Sequence, residues 1–223
     1  MNIDFQKIIP NPLKEFISPN SIWNTDFAFK SGEMYQIIAP SGKGKSTLVG
    51  LLAGTRGDFL GRLILEGQSS TEFSPLKWSQ WRALKCSVVF QDLQLFQNLT
   101  ALQNLTLTSE INQIHSKNQK LAAHIQSVET LTEWAKLLGV ESKLNQPVAL
   151  LSFGQMQRIA ILRALNRPFH WIVLDEPFSH LDQTNASIAL DLIKKVAQEQ
   201  NAGIIITALD DRYSLPGFQS VTI

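Results

Sequence analysis

The nine residues Ala39-Pro40-Ser41-Gly42-Lys43-Gly44-Lys45-Ser46-Thr47 form a glycine-rich turn. An apolar run, Tyr35–Ile38, comes directly before the turn, and a helix-like run, Leu48–Ala53, follows it. Strand, glycine-rich turn and helix in this order, with lysine and serine at the end of the turn, are typical of a phosphate-binding loop. Glycines let backbone N–H groups converge on phosphate oxygens, and the helix N-terminus adds partial positive charge at the same point.

Lys45 and Ser46 carry the chemistry predicted for this turn. Lys45 would reach the β- and γ-phosphates of a nucleotide, and Ser46 would hold Mg²⁺. The loop pattern calls for glycine at its first position, where this chain has Ala39. Since a residue before Pro40 is pushed towards extended geometry, which alanine tolerates, we expect binding to survive. The alternative is an ordinary turn that precedes a helix, and the flanking strand and helix favour the phosphate loop.

Length and composition favour one α/β domain, or an α/β core with a sizeable insertion. The chain has 223 residues, of which 44% are hydrophobic, enough to bury a core of its own. A net charge of +1 argues against duplex nucleic acid as a partner. The single cysteine, Cys86, cannot form an internal disulfide, which fits a reducing cytoplasm. We see no signal peptide and no apolar run near the roughly 20 residues that span a bilayer, so a membrane role would need a partner.

Strand-like apolar runs alternate with helical patterns along the chain. Because several runs are continuously apolar, they are typical of strands buried on both faces, and the alternation predicts a mostly parallel, wound sheet. The expected strands are Ile22–Phe29, Met34–Ile38, Leu63–Leu65, Ser87–Phe90, Trp171–Leu174 and Gly203–Thr207. The expected helices are Lys45–Ala53, Ser152–Leu165 and Asn185–Glu199.

Residues 92 to 150 have a different character, with helical patterns and few β-branched runs. One amphipathic helical stripe ends at Gly139. It consists of Leu121, Ile125, Val128, Leu131, Ala135 and Leu138. We interpret residues 92 to 150 as a helical subdomain inserted into the α/β core.

The run Trp171–Pro177 predicts a buried strand with two adjacent carboxylates at its tip. In enzymes with a phosphate loop, an acid at the end of a neighbouring strand holds the Mg²⁺ shell, and a second group polarises the attacking water. Successive strand residues point to different faces, so the two acids would have different roles. We assign Asp175 to the metal and Glu176 to the water. The alternative is a strand end with ordinary surface acids, which the phosphate loop disfavours.

The run Leu151-Ser152-Phe153-Gly154-Gln155 precedes a helical pattern. On local grounds it is a capping box, because Ser152 precedes the helix and Gln155 lies three residues on, where its side chain can bond back. Capping explains both residues. It does not explain why the capped helix lies just upstream of the carboxylate strand.

The phosphate loop, this capped segment and the Leu174-Asp175-Glu176-Pro177 strand tip together resemble the ATP-binding cassette (ABC) family, in which three such motifs occur in this order. The resemblance runs from about Leu13 to about Asp210. It implies an α/β P-loop NTPase core with a mostly parallel sheet, an antiparallel β edge and an inserted helical subdomain. It also implies a single nucleotide-binding domain over 1–223, with the core at 1–91 and 151–223 and the helical subdomain at 92–150.

The resemblance further implies that two such subunits sandwich ATP and Mg²⁺. Ser152, Phe153, Gly154 and Gln155 would face the ATP held by the other subunit, and a capped helix start is suited to an anion. Phe153 replaces the first glycine of the family's Leu-Ser-Gly-Gly-Gln signature, so we expect a crowded but usable site.

Three more residues match family positions. Gln91 would touch Mg²⁺ and link the core to the helical insert, and a polar strand end is the less favoured alternative. Phe16 matches the aromatic that stacks on adenine, and a core phenylalanine is about equally expected. Asp182, in Ser179-His180-Leu181-Asp182, matches the acid of a loop at the dimer interface, where His180 reads as a surface substitution.

After the Gly203–Thr207 strand, the family usually places a histidine that donates to the γ-phosphate. This chain has Ala208 and Leu209 there, neither of which can donate, and its histidines His115, His124, His170 and His180 lie elsewhere. Losing one preorganised donor typically costs about 10²–10³ in rate, so we expect intact ATP binding and slow hydrolysis.

The function that the resemblance implies is the ATP-binding and ATP-hydrolysing subunit of an ABC transporter complex, peripheral on the inner face of the membrane through a permease. The lipoprotein-release, macrolide-efflux and cell-division branch is most similar. Leu93–Phe96 would dock the permease, or equally belong to the insert core. The alternative function is an ATP-dependent dimeric switch or scaffold with little hydrolysis. We expect no nucleic acid partner.

Overall fold

A parallel sheet of five strands forms the centre of the molecule. The computed structural model describes residues 1–15, 17–107, 124–209 and 215–223. In space the strands follow the order β6-β7-β8-β3-β9, and every neighbouring pair is parallel. Their bounds are β3 Met34–Ile38, β6 Cys86–Val89, β7 Trp171–Asp175, β8 Gly203–Ala208 and β9 Gln219–Thr222. The predicted parallel core is confirmed.

A second, antiparallel sheet has the order β2-β1-β4-β5. Its strands are β1 Ile3–Pro10, β2 Asp26–Phe29, β4 Phe59–Leu65 and β5 Gln68–Ser69. The expected strand Ile22–Phe29 is too long, because Ile22 and Trp23 are buried in the turn that precedes β2. β1 was not predicted, because polar residues interrupt its buried ones. This pattern is typical of a strand with one face exposed to solvent.

Within the described residues, six α-helical segments accompany the sheets. They are α1 Lys45–Ala53, α2 Pro75–Leu84, α3 over residues 101–107, α4 Val128–Leu137, α5 Phe153–Leu165 and α6 Gln183–Glu199. The bounds of α1 match the prediction, and α5 begins one residue after its predicted start because Ser152 is the cap.

The single helical stripe expected to begin at Leu121 is wrong in its first half. Ser127 ends the preceding segment and caps α4, since its hydroxyl accepts from the Thr130 N–H at 3.2 Å. Ile125 therefore precedes the helix, Val128 is 48% exposed, and Leu121 lies outside the described residues. The second half holds, because Leu131, Ala135 and Leu138 are buried and Gly139 follows with φ 65°.

The parallel sheet is buried on both faces, and alternate residues of its strands belong to two hydrophobic clusters. Ile172 and Leu174 join the cluster that contains α5, α6 and the helical segments between residues 92 and 150. Trp171 and Val173 join the cluster formed with α1 and the antiparallel sheet. Period-two alternation with no polar face explains why the strands read as continuous apolar runs.

The carboxyl ends of four parallel strands lie along one edge of the sheet. Ile38 pairs with Ala208 and Asp175 pairs with Thr207, so the residues that follow these strands emerge side by side. Loops at such an edge are the usual place for a ligand in an open α/β sheet. Within the described ranges, none of the helices combines the length and the apolar character needed to cross a membrane.

Candidate nucleotide site

The glycine-rich turn between β3 and α1 adopts the backbone geometry that its glycines allow. Gly42 has φ 78°, and Gly44, which precedes α1, has φ 104°. A Cβ on Gly44 would lie 2.5 Å from Cδ1 of Leu13, whereas a Cβ on Gly42 would meet nothing within 4 Å. Both glycines are thus favoured by their backbone conformation, and a side chain at Gly44 would in addition make Leu13 move.

Ala39 ends the strand and does not need glycine's freedom. It is not among the residues with left-handed φ in the described ranges. Its N–H donates to the carbonyl of Ala208 at 3.2 Å, which extends the pairing of β3 with β8 by one residue. An extended residue before Pro40 suits alanine.

Lys45 is buried and directs its three ammonium hydrogens at protein oxygens. Nζ donates to the carbonyls of Ala39 at 2.7 Å and Pro40 at 3.0 Å, and it lies 3.4 Å from Oε1 of Glu176. A phosphate that binds Lys45 must replace at least one of these partners, because an ammonium group has three donors.

Thr207 connects the two acids at the tip of β7. Its Oγ1 donates to Oδ1 of the buried Asp175 at 2.6 Å and accepts from the N–H of Glu176 at 3.0 Å. Glu176 itself has φ 50°, an uncommon conformation for a residue other than glycine. Gln157, buried in α5, donates from Nε2 to the carbonyl of Glu176 at 3.1 Å. The backbone of Glu176 is thus held from both sides.

A cleft of about 840 Å³ opens at this edge of the sheet. Polar groups from separate loops line it, among them Ser46, Gln91, Asp175, Glu176, Ser179 and His180. The structure therefore brings together the residues predicted to hold Mg²⁺ and the residue predicted to act on water. Phe16 lies outside the described residues, and Ser41 and Lys43 are exposed on the glycine-rich turn.

Helix α5 stabilises the bend that follows Gln91. Leu93 and Gln94 both have left-handed backbone, with φ 60° and 47°. The Arg163 guanidinium donates to their carbonyls at 2.8 and 2.7 Å. Burial lowers the pKa of Arg163. In the segment Leu93–Phe96, both leucines are buried in the core and Phe96 is 54% exposed.

The capping box predicted at the start of α5 is present. Ser152 Oγ accepts from the Gln155 N–H at 3.3 Å, and Gln155 Oε1 accepts from the Ser152 N–H at 3.0 Å. Phe153 is 39% exposed and lines the cleft of its own chain. Its ring lies 4.3 Å from that of His180, at an interplanar angle of 55°. A Cβ on Gly154 would lie 2.8 Å from the carbonyl oxygen of His180, so the signature turn and the His180 loop touch directly.

Asp182 caps α6. Its carboxylate accepts from the backbone N–H of Asn185 at 2.8 Å and from that residue's side-chain amide at 2.6 Å. These two hydrogen bonds lower the pKa of Asp182. The carboxylate thus has a structural role within this chain, whatever role it has at an interface.

Leu209, rather than Ala208, borders the cleft. Leu209 is 40% exposed and lies in the cleft wall with Ser46 and Asp175. Ala208 lines a smaller cavity of about 30 Å³ behind Glu176. Ala208 and Leu209 are the two residues that could correspond to the family's histidine. Of these, Leu209 borders the larger cleft.

Two residues of the site escaped sequence reasoning. Thr207 was identified only as the end of a strand, and its bond to Asp175 depends on the register between β7 and β8. Gln157 reads as one of several polar residues on α5, and its burial beside Glu176 is a tertiary effect. In a single sequence, neither a threonine at a strand end nor a glutamine in a helix indicates a role in a site.

Comparison with known proteins agrees with this geometry. Residues 22–179 match the model of the family described as ABC transporter. The lipoprotein-releasing system ATP-binding protein LolD of Buchnera aphidicola subsp. Schizaphis graminum is 33% identical over 184 residues, which cover 82% of this chain and 77% of that protein. The thiamine import ATP-binding protein ThiQ of Vibrio vulnificus is 32% identical over 181 residues, 81% of this chain and 71% of that protein.

A solved structure with a similar fold is the cassette MJ0796, in a dimeric, post-hydrolysis state bound to ADP and Pi. It has a TM-score of 0.75 and 26% sequence identity, and the match covers 94% of this chain and 88% of that chain. The motifs, their meeting at one cleft and these matches lead to one conclusion: the chain belongs to the ABC transporter family, as an ATP-binding cassette.

Proposed function

We propose that this chain is the ATPase subunit of an ABC transporter complex, which binds ATP with Mg²⁺ and closes with a second cassette to drive a membrane partner. The observation that carries the proposal is the meeting of the phosphate loop, Gln91, Asp175 and Glu176 at one cleft. We further propose that residues 1–223 form one nucleotide-binding domain, with residues 92–150 as its helical part.

The phosphates of ATP lie against the turn from Ala39 to Thr47. Its glycines expose backbone N–H groups, and α1 starts at the turn with the positive end of its dipole. Lys45 exchanges its contact with Glu176 for a phosphate oxygen and keeps its contacts with the loop carbonyls. This exchange leaves the carboxylate of Glu176 available for another hydrogen bond.

The residues fit Mg²⁺. Ser46, Gln91 and Asp175 bring a hydroxyl, an amide and a carboxylate to one cleft, and magnesium in nucleotide sites is held by few protein ligands together with phosphates and water. In the described ranges, no group of three or more His, Cys, Asp or Glu side chains forms a metal site by itself. When bound, the ion would neutralise charge that develops on the phosphates.

Glu176 orients the attacking water. Its carboxylate is largely buried, and its backbone is fixed by Thr207 and Gln157, so the side chain starts from a defined position. Positioning of the nucleophile, together with electrostatic stabilisation, accounts for most of the catalysis in phosphoryl transfer. Phe16 stays a proposal for stacking on adenine.

A second cassette completes the site. Ser152 to Gln155 present the capped N-terminus of α5, which suits an anion carried by the partner, and Asp182 lies on the neighbouring loop. The relative from Buchnera aphidicola is described as part of a lipoprotein-releasing system, and that from Vibrio vulnificus as part of thiamine import. We propose a membrane permease as partner, a location at the inner face of the membrane, and exposed Phe96 as part of the docking surface.

Hydrolysis is reduced relative to cassettes with a histidine after β8. The side chains of Ala208 and Leu209 have no donor for the γ-phosphate, and one missing donor costs about 10²–10³ in rate. The alternative function, an ATP-held switch or scaffold, follows if this loss brings turnover close to zero.

The test compares the purified chain with the variants Glu176→Gln and Lys45→Ala. Glu176→Gln should keep ATP binding, stabilise an ATP-dependent dimer and lower turnover by about 10²–10⁴, the usual contribution of a positioned base. Lys45→Ala should lose ATP binding. Normal turnover in both variants would overturn the ATPase assignment, and an ATP-dependent dimer without measurable turnover in the unmodified chain would favour the switch.

A further inference from the structure

His180 lies in the wall of the nucleotide cleft, together with Ser46, Asp175 and Glu176. Of the histidines in the described ranges, which also include His124 and His170, it is the one that borders this cleft. Sequence reasoning placed it at the surface. His180 is exposed, as predicted, and the loop that carries it also borders the space that Leu209 borders.

Up to residue 209, where the described part of this segment ends, β8 and the residue after it provide no side chain with a free donor to this space. The hydroxyl of Thr207 already donates to Asp175 and accepts from the Glu176 N–H. Ala208 and Leu209 follow it, and Leu209 forms part of the cleft wall. Leu209 therefore contributes an apolar side chain to the cleft wall beside Ser46 and Asp175.

The hydrogen bonds around Gln157 fix the orientation of its amide beside the His180 loop. Gln157 Oε1 accepts from the backbone N–H of His180 at 3.3 Å, and its Nε2 donates to the carbonyl of Glu176 at 3.1 Å. These two backbone partners fix the orientation of the amide, because one can only donate and the other only accept.

Nε2 of Gln157 also donates to Oγ of Ser179 at 3.3 Å. Oγ of Ser179 lies 2.9 Å from Nδ1 of His180, and its hydroxyl can donate to that nitrogen while it accepts from Gln157. When Nδ1 accepts, the neutral imidazole carries its proton on Nε2. In that tautomer the ring can donate a hydrogen bond through Nε2.

Phe153 keeps the imidazole ring in place. The two ring centres are 4.3 Å apart, and both side chains line the cleft. Gly154 allows this approach, since a Cβ there would lie 2.8 Å from the His180 carbonyl oxygen. The phenylalanine that replaces a glycine in the signature and the histidine in the following loop form one packed unit.

We propose that Nε2 of His180 donates a hydrogen bond to the terminal phosphate of the nucleotide in this cleft, in place of the donor that β8 lacks, and that Phe153 is its positioning residue. The proposal rests on the proposed function, since it requires ATP in this cleft. The turnover that remains without a histidine after β8 then depends on His180.

The experiment measures steady-state ATP turnover and nucleotide affinity of the full chain and of the variants His180→Ala, His180→Gln and His170→Ala. His180→Ala should lower kcat by about 10²-fold, the usual effect of one lost donor, with unchanged affinity for ATP. His180→Gln keeps an N–H group, so its kcat should lie between that of the unmodified chain and that of His180→Ala. His170 is exposed outside the cleft, so His170→Ala should match the unmodified chain.

Adding Leu209→His to His180→Ala should restore turnover, which a merely structural role of His180 would not allow. Phe153→Gly should lower kcat less than His180→Ala does. Unchanged kcat in His180→Ala overturns the proposal, and so does a loss of ATP affinity in both His180 variants. If Glu176→Gln abolishes turnover while His180→Ala does not, the ATPase function stands and only the role of His180 falls.

Discussion

Thr207 is the residue on which the geometry of both acids depends. One hydroxyl donates to Asp175 and accepts from the backbone of Glu176, and all three groups lie at the buried tip of the sheet. A buried polar group that loses its partner costs about 1–3 kcal/mol. The Thr207 side chain thus stabilises the register of β7 with β8 at Asp175, the last residue of β7.

Replacing Thr207 by valine tests this connection. Thr207→Val keeps the shape and removes the hydroxyl, so it should lower the free energy of unfolding by about 1–3 kcal/mol and slow ATP turnover. Thr207→Ser retains the hydroxyl and should keep turnover. Urea unfolding and ATP hydrolysis are the measurements, and equal stability of the valine variant and the unmodified chain would contradict the expectation.

Gly154 lies where the signature turn meets the His180 loop, and the contact is with backbone on both sides. Gly154→Ala would place a Cβ 2.8 Å from a carbonyl oxygen, so one segment must shift. Such overpacking costs about 1–3 kcal/mol. Gly57→Ala is the matched control, because a Cβ there meets nothing within 4 Å. Thermal unfolding should separate the two variants, and an identical shift in both would refute this account.

At the scale of elements, helix caps are the features most visible in the sequence. Ser152 with Gln155 predicted the start of α5, and both hydrogen bonds of the box are present. Ser127 also caps α4, but the residue three positions on is Thr130, which does not complete a capping box. The sequence therefore did not separate this cap from the apolar stripe around it. A stripe of apolar residues does not locate the start of a helix as sharply as a cap does.

Removal of the Ser152 cap should be measurable. Ser152→Ala should lower the free energy of unfolding by about 1 kcal/mol, because the Gln155 N–H loses its acceptor. Ser187→Ala, at an exposed position within α6, should change stability little. Denaturant midpoints decide the matter, and a midpoint for Ser152→Ala equal to that of Ser187→Ala would show that the cap is energetically unimportant.

The strands show where sequence reasoning succeeds and fails. Four of the five parallel strands, β3, β6, β7 and β8, were found because their residues are mostly buried, which makes their sequences continuously apolar. β1 was missed because polar residues interrupt its buried positions, and β9 because only Val221 within it is buried. The phosphate loop was identified because its chemistry is local. The bonds of Thr207 and Gln157 join residues far apart in sequence and could not be read from it.

At the scale of the whole molecule, the two clusters on either side of the parallel sheet exclude water from the first residue of β6. Cys86 is buried there, and burial raises the pKa of its thiol to about 12. The nearby Arg167 opposes this shift, and its own pKa is lowered to about 10, mainly by burial. The thiolate is thus strongly disfavoured in the folded protein.

Two measurements follow for Cys86. In the folded protein its thiol should resist alkylation at pH 8, and unfolding should expose one reactive thiol per chain. Since folding raises the pKa above 9.0, the stability associated with the thiol is complete below about pH 9 and is lost as pH rises towards 12. The difference in unfolding free energy between the unmodified chain and Cys86→Ala should therefore shrink over that range. Rapid alkylation without unfolding would contradict this picture.

The grip of Arg163 on Leu93 and Gln94 has a mechanical consequence. α5 is a stiff rod of about 20 Å, with Ser152 at one end and Arg163 near the other. If a second cassette tilts α5 at its Ser152 end, the guanidinium contacts would carry that tilt to the bend before Phe96. The exposed ring of Phe96 would then move with the helix.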